Sequence, residues 1–385
     1  MRTKAIIHLD NFIDNLNSVK ARIGENRLIC VPVKADAYGH GAVKIAKTSI
    51  DGGAHCLGVS AVSEGTKLRK GGIKAPILIF SQPHPDEIEN IINDDLTPFI
   101  SDADFSSVLS EKAKTRNINV SVHLKIDTGM GRIGCSANES LSLARHITSC
   151  PCLKLAGIAT HFAAADSTDS ENVKYTMMQL NRFKKAVGAI KANGINPGII
   201  HAANSGAVIL HPESWLDMVR PGIFLYGYKT AEEKDMPLSY QKKLLKPGIL
   251  KAKPVMELRS AVTLIKKIKK NESVSYGRTW TACEDTVIAV LSAGYADGFP
   301  RLAGIKWKVK INEKTFPVIG RITMDQCIVN LGENSGVNRW DEAVIFGGSA
   351  SDASALAKAA KTIPYEITCN INKRVPRVYV KRSQP

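Results

Sequence analysis

Lys34 ends the run LICVPVK (28–34), an apolar stretch that would leave its ammonium at a strand end against low-dielectric walls. Desolvation lowers a lysine's pKa and frees the amine to condense with a carbonyl group. The same position also suits a lysine that snorkels from a strand end into water. Asp127, His161, Asn204 and Arg220 fall at or just past the ends of similar runs. These residue types bind charge or carry protons. Ser205 alone reads more readily as a helix N-cap, and each histidine, taken singly, as a satisfied structural residue.

Such residues need elements to gather them. Short β-rich runs occur at 28–34, 55–60, 75–80, 96–100, 119–127, 155–161, 197–203 and 216–227. Amphipathic stretches lie between most of them, for example at 86–94, 104–116 and 174–194. Strands alternating with helices imply parallel pairing and crossover helices. Eight uninterrupted apolar strands favour a closed α/β barrel of the (β/α)8, TIM type over an open sheet. The strand C-termini of such a barrel form its active-site face, which is where these residues fall. Past about residue 236 the texture becomes β-branched alternation with turn clusters, which reads as a mainly antiparallel β domain. A helix over 351–363 precedes a final strand in VPRVYVKR. The division expected is therefore a barrel over 1–235 and a β domain over 236–385, with the linker near 228–238.

The chain has 385 residues, 44% apolar and 23% charged, an ordinary globular balance. It has no apolar run long enough for a transmembrane helix, and its first ten residues lack a signal-peptide pattern. A cytoplasmic protein is expected. Eight scattered cysteines include no CxxC pair, so neither a zinc site nor any other metal centre is expected. The formal charge of +16 raises the question of nucleic acid. Its densest stretches, KKLLK (242–246) and LIKKIKKNE (264–272), read instead as solvated faces, with no nucleic-acid-binding signature beside them.

The segment VPVKADAYGHGA (31–42) resembles the pyridoxal-phosphate attachment motif of the alanine racemase family. The resemblance continues in order through VHLKIDTGMGRIG (122–134), THFAAAD (160–166), HAANSGA (201–207) and MVRPGIFLYG (218–227). In the β domain it takes in VSYGRTW (274–280), GYADGFPR (294–301), GRITMDQ (320–326) and PYEITCNINKRVPRVY (364–379). It covers nearly the whole chain.

The resemblance implies pyridoxal phosphate as cofactor, joined to Lys34. Ser205, the backbone N–H groups of Gly222 and Ile223, and the hydroxyls of Tyr38 and Tyr365 would clamp its phosphate. Arg220 would face the ring nitrogen, with His161, Asn204 and His201 around it and the two histidines orienting the arginine. An arginine can donate there but cannot hand over a proton. Two bases on opposite faces of Cα would racemise alanine: Lys34, acting on the D-enantiomer, and Tyr276, supplied by a second subunit. A homodimer with shared sites follows, and hydrogen bonding to the His201–Arg220 pair would favour the tyrosine's phenolate.

Arg132 and the backbone N–H of Met324 would take the substrate carboxylate, and Tyr295 would narrow the entrance. Lys125 matches a lysine that the family often carbamylates, where it holds that arginine. Arg301, Arg321, Asp166 and Asp325 resemble an outer entry layer, though salt-bridge roles suit them equally. Thr323 departs from the cysteine of many members, with little effect expected.

Three rival readings remain in view. A racemase of broader specificity, acting on serine or basic amino acids, would keep the same machinery. A barrel-type amino-acid decarboxylase would need an acidic ring-nitrogen partner and a Cys-Asp pair, where this chain has Arg220 and Tyr276. A small barrel protein that merely binds the cofactor would lack the β domain.

Overall fold

A computed structural model describes residues 3–230, 250, 252–348 and 350–381. Eight strands form the parallel barrel: β2 (Leu28–Pro32), β3 (Cys56–Val59), β4 (Ile77–Ile79), β5 (Thr97–Ile100), β6 (Val120–Asp127), β8 (Leu153–Ala159), β9 (Ile199–His201) and β10 (Met218–Val219). They pair in that order, and β10 returns to β2 to close the ring. A two-residue strand, β7 (Cys135–Ser136), hangs on β6. The eight-strand expectation holds, with every strand at or within about one or two residues of its run except the last.

The run 216–227 was expected to be one strand, yet only Met218–Val219 is extended. Pro221 brings no N–H to a ladder, and Ile223–Tyr226 coil into a short 3-10 turn that is buried on every side. This segment is apolar because it is enclosed, not because it is a strand. The helices arrive where periodicity placed them. Ala103–Thr115 is capped by the Asp102 carboxylate and Ser170–Ala192 by that of Asp169.

Strand β6 differs from its neighbours in strict alternation. Val120, Val122, Leu124 and Ile126 join the large cluster that packs strands against helices. Ser121, His123, Lys125 and Asp127 alternate with them and so turn to the barrel interior. The rest of that interior is a small separate cluster of Cys30, Cys56, Leu78, Phe99, Ala159 and Met218. Two glycines make room for bulk there. A Cβ on Gly58 would fall 2.0 Å from the Phe80 ring, and one on Gly157 would fall 2.5 Å from that of His123.

The second unit is a mainly antiparallel sheet. It comprises β11 (Met256–Ile268), β14 (Thr286–Leu291), β15 (Lys308–Ile311), β16 (Lys314–Ile319), β17 (Cys327–Asn330) and β18 (Glu342–Phe346), beside the small hairpin β12 (Ser273–Val274) and β13 (Trp280–Thr281). The long β11 pairs with both β14 and β18, which curls the six larger strands into a closed ring. The expected helix at 351–363 is Ala353–Ala360, followed by the helix Pro364–Cys369 and the final strand β19 (Arg377–Val380).

One strand crosses the expected division. The chain's first strand, β1 (Lys4–His8), lies in the second sheet, antiparallel to β11 and parallel to β19. Its alternation is too short to say which unit it joins. The expected linker at 228–238 lies mostly, and KKLLK (242–246) wholly, outside the described residues. The lysines at 266, 267, 269 and 270 are exposed, whereas Ile268 between them is buried.

Candidate active site

Lys34 lies two residues beyond β2, not at its end, and opens a turn of unusual hand. Ala35, Asp36, Ala37 and Tyr38 all have positive φ, between 52 and 56°. Left-handed backbone costs non-glycine residues roughly 1–2 kcal/mol each, so the surroundings must hold it. Glu64 accepts the Ala35 N–H at 2.6 Å with one oxygen and the Ser60 and Ala61 N–H groups with the other. Asp36 accepts from Ala42 N–H and from Lys67. Arg377 donates to the Gly39 carbonyl at 2.9 Å. Gly39 itself has φ +84°, and a Cβ there would fall 1.9 Å from the Thr368 carbonyl oxygen. Gly39→Ala is therefore expected to lower stability by about 2–4 kcal/mol, read as a fall in Tm.

A cavity of about 250 Å³ opens at the strand C-termini. Lys34, Tyr38, Lys125, Arg132 and His161 line one part of its wall, and Asn204, Ser205, Arg220, Gly222 and Tyr365 another. Asp166, expected in an outer layer, lines it too. Burial, then the Arg132 charge, push the Lys34 amine below the ordinary lysine value, and Glu64 and Cys369 oppose this. Lys125 is more enclosed, at 3% exposure, and is pushed down to about 7 by burial and by Arg220. Burial raises the hydroxyls of Tyr38 and Tyr365 well above the usual phenol value, so both stay protonated donors.

Ser205 does not cap its helix. Asn204 does, accepting the Ala207 N–H at 3.0 Å, which leaves the Ser205 hydroxyl facing the cavity, with the Phe224 N–H 3.3 Å away. The Asp127 carboxylate accepts the N–H groups of Gly129, Met130 and Arg132, fixing the loop that carries the Arg132 guanidinium. Ile223 is fully buried and its side chain stays off the cavity wall.

Arg220 is the electrostatic centre. Its guanidinium donates to the Thr160 carbonyl at 2.8 Å, the Ala202 carbonyl at 3.0 Å, His201 Nδ1 at 2.8 Å and His161 Nδ1 at 3.3 Å. No carboxylate pairs with it among the described residues, although burial is severe enough to lower its pKa to about 10. A buried cation without a counter-charge is costly. Both histidines are held well below the usual imidazole value by burial and by the Arg220 charge. His201 spends both ring nitrogens, one on Arg220 and one on His123, so it cannot also hydrogen bond to Tyr276 as expected. His161 faces the cavity instead.

Tyr276, Tyr295 and Met324 are not part of this cavity's wall. All three are exposed, at 71%, 43% and 54%. They sit on neighbouring loops of the β domain. Ser275 at φ 63° and Gly277 at φ 72° push Tyr276 outward, and the Ser275 hydroxyl donates to the Arg321 carbonyl at 2.6 Å. The Ala296 N–H donates to the Met324 carbonyl. The Thr323 hydroxyl closes the turn beneath Met324 through Gln326. Arg374 joins Asp297 and Asp325, each at 2.8 Å.

The alanine racemase N-terminal domain family matches residues 7–230, and the alanine racemase C-terminal domain family matches residues 255–379. This chain belongs to the alanine racemase family. An alanine racemase of Treponema denticola is 49% identical over 385 residues, covering 98% of each chain. A solved alanine racemase of Clostridium difficile 630 superposes with a TM-score of 0.90 at 35% identity, covering 99% of this chain and 96% of that one. Another, from Bacillus anthracis with bound L-Ala-P, gives 0.88 at 30% identity, covering 100% and 96%.

Within this alanine racemase family fold, sequence reasoning missed two residues that hold the site. Glu64 gave no signal, because a helix-start glutamate is common. His123 did give one, since the alternation of β6 marks a polar face that a barrel can only turn inward.

Proposed function

We propose that this chain is an isomerase that interconverts L- and D-alanine with pyridoxal phosphate joined to Lys34, at a site completed by a second copy. One observation carries this reading: a depressed lysine amine and a buried guanidinium that pairs with no carboxylate among the described residues line the same cavity. The donor set also fits the cofactor. Gly222 leaves a cradle where a Cβ would meet the Tyr38 hydroxyl at 2.8 Å. When bound, pyridoxal phosphate supplies an aldehyde for the lysine and an electron-withdrawing ring that acidifies the substrate's Cα–H bond.

The chain's own residues do the rest. Ser205, Tyr38, Tyr365 and the N–H groups of Gly222 and Ile223 hold the phosphate, with Asn204 fixing the helix that presents the serine. Arg220 donates to the ring nitrogen and keeps its own proton, which discourages side reactions. Arg132 takes the substrate carboxylate. Lys34 moves the Cα proton on one face. Tyr276 of the second copy moves it on the other, the Met324 N–H of that copy joins Arg132 on the carboxylate, and its Tyr295 narrows the entrance. His161, its Nδ1 engaged by Arg220, presents an Nε2–H that can steady a phenolate.

The product is D-alanine for peptidoglycan, made in the cytoplasm. Among the described residues no helix is long and apolar enough to cross a membrane, and the partners proposed are an amino-acid substrate and a second copy. A decarboxylase fits less well, because its acidic ring partner is replaced by Arg220. Incubation with L-alanine in deuterium oxide tests the proposal. Optical rotation should fall to zero while Cα takes up deuterium, whereas carbon dioxide release would move the reading to a decarboxylase. Rates with serine, lysine and arginine would measure the breadth of specificity.

A further inference from the structure

Behind Arg220 a second imidazole extends its network into the barrel. His123 Nδ1 lies 2.8 Å from His201 Nε2, and the two rings meet edge-on with centroids 5.0 Å apart. His123 is 3% exposed and His201 fully buried. The His123 ring lies parallel to Phe99, 12° from coplanar at 6.1 Å. The bare Cα of Gly157 makes its space, since a Cβ there would sit 2.5 Å from the ring. The position is built.

Proton bookkeeping along this line has one solution. A guanidinium only donates, so His201 Nδ1 must accept from Arg220. His201 is then neutral with its proton on Nε2, and His123 Nδ1 must accept that proton's hydrogen bond. His123 in turn carries its own proton on Nε2. Burial and the Arg220 charge keep His123 neutral, pulling it down to about 3. Without an acceptor at that point, His201 would be free to rotate or to move its proton to Nδ1. Either change would remove the acceptor that aims one arm of the guanidinium.

We infer that His123 is a positioning residue for racemisation: it fixes the tautomer of His201 and, through it, the direction in which Arg220 faces the reacting ring. This rests on the reading of Arg220 given above. Asn places an amide oxygen close to the imidazole Nδ1, so His123→Asn keeps the acceptor, whereas His123→Leu fills the space without one.

In the holoenzyme, His123→Leu is expected to lower kcat by about 10-fold or more, the scale typical of outer partners that orient a working imidazole. KM should change little. The fraction of turnovers diverted to pyruvate, with the cofactor left in its amine form, should rise because Arg220 no longer restrains that route. His123→Asn should restore both quantities to within about threefold of wild type. Equal losses in both variants would reduce His123 to a packing role and overturn the inference, as would a Leu variant with wild-type kcat and wild-type diversion.

A second measurement does not depend on activity or on either variant folding. Nitrogen-15 NMR of histidine-labelled wild-type protein should show His123 and His201 as neutral Nε2–H tautomers. An Nδ1–H tautomer at His201 would refute the arrangement. Failure of wild-type protein to racemise alanine would instead count against the functional reading itself.

Discussion

Lys34→Ala is expected to abolish racemisation, with a loss of about 10⁴-fold or more, because one amine both anchors the cofactor and carries a proton. The loss should not come from unfolding. The Lys34 amine makes no hydrogen bond to a protein group among the described residues, and the turn behind it is held through Ala35, Asp36 and Gly39. A rival amine stands in the same cavity. Lys125 is pushed down to about 7, so much of it is uncharged near neutrality. It is nearly sealed, however, its Nζ donates to the Ile126 carbonyl, and the charges of Arg220 and Arg132 both act on it. Borohydride reduction of the holoprotein followed by peptide mapping separates the two. Label on Lys34 is expected, and label on Lys125 would require the cavity to be reassigned.

Tyr276→Phe should lower racemisation by about 10²–10⁴-fold, the usual contribution of one positioned acid–base group. The enantiomers have equal free energy, so kcat/KM must fall by the same factor in both directions. Direction therefore cannot reveal which face the tyrosine serves. Isotope exchange can. In deuterium oxide the variant should still exchange the α-proton of D-alanine through Lys34 while exchange into L-alanine is lost. Exchange surviving equally in both enantiomers would contradict the two-base assignment.

The exposure of Tyr276, at 71% and off its own chain's cavity wall, adds a mixing test. Each inactive variant lacks what the other supplies. Equimolar Lys34→Ala and Tyr276→Phe chains, unfolded and refolded together, should recover about a quarter of wild-type activity by random pairing of twofold dimers. Recovery near zero would place both groups in sites that a single chain completes.

The sequence made the barrel legible because periodicity and strand number act over long stretches, where local errors average out. It made Lys34, Arg220 and Ser205 legible because each lies just past a strand. It could not show the left-handed turn after Lys34. Ala35 and Ala37 have no intrinsic preference for positive φ, and the turn exists only because Glu64, Lys67 and Arg377 hold it from distant parts of the chain. It placed His201 beside Arg220 correctly but not its bond to His123, since the partner of a histidine's second nitrogen is hidden until its neighbours are known. The capping role of Asn204 in place of Ser205 was hidden for a similar reason, as adjacent residues compete for a single task.

The first strand has a consequence for how this chain can be made. Lys4–His8 pairs with Arg259–Met256 on one edge and Arg377–Val380 on the other. On the ribosome that pentapeptide has no partner until some 250 residues later, and its second neighbour emerges over 100 residues after that. The barrel lies between them in sequence, so the β domain cannot be excised as one continuous piece with its sheet intact.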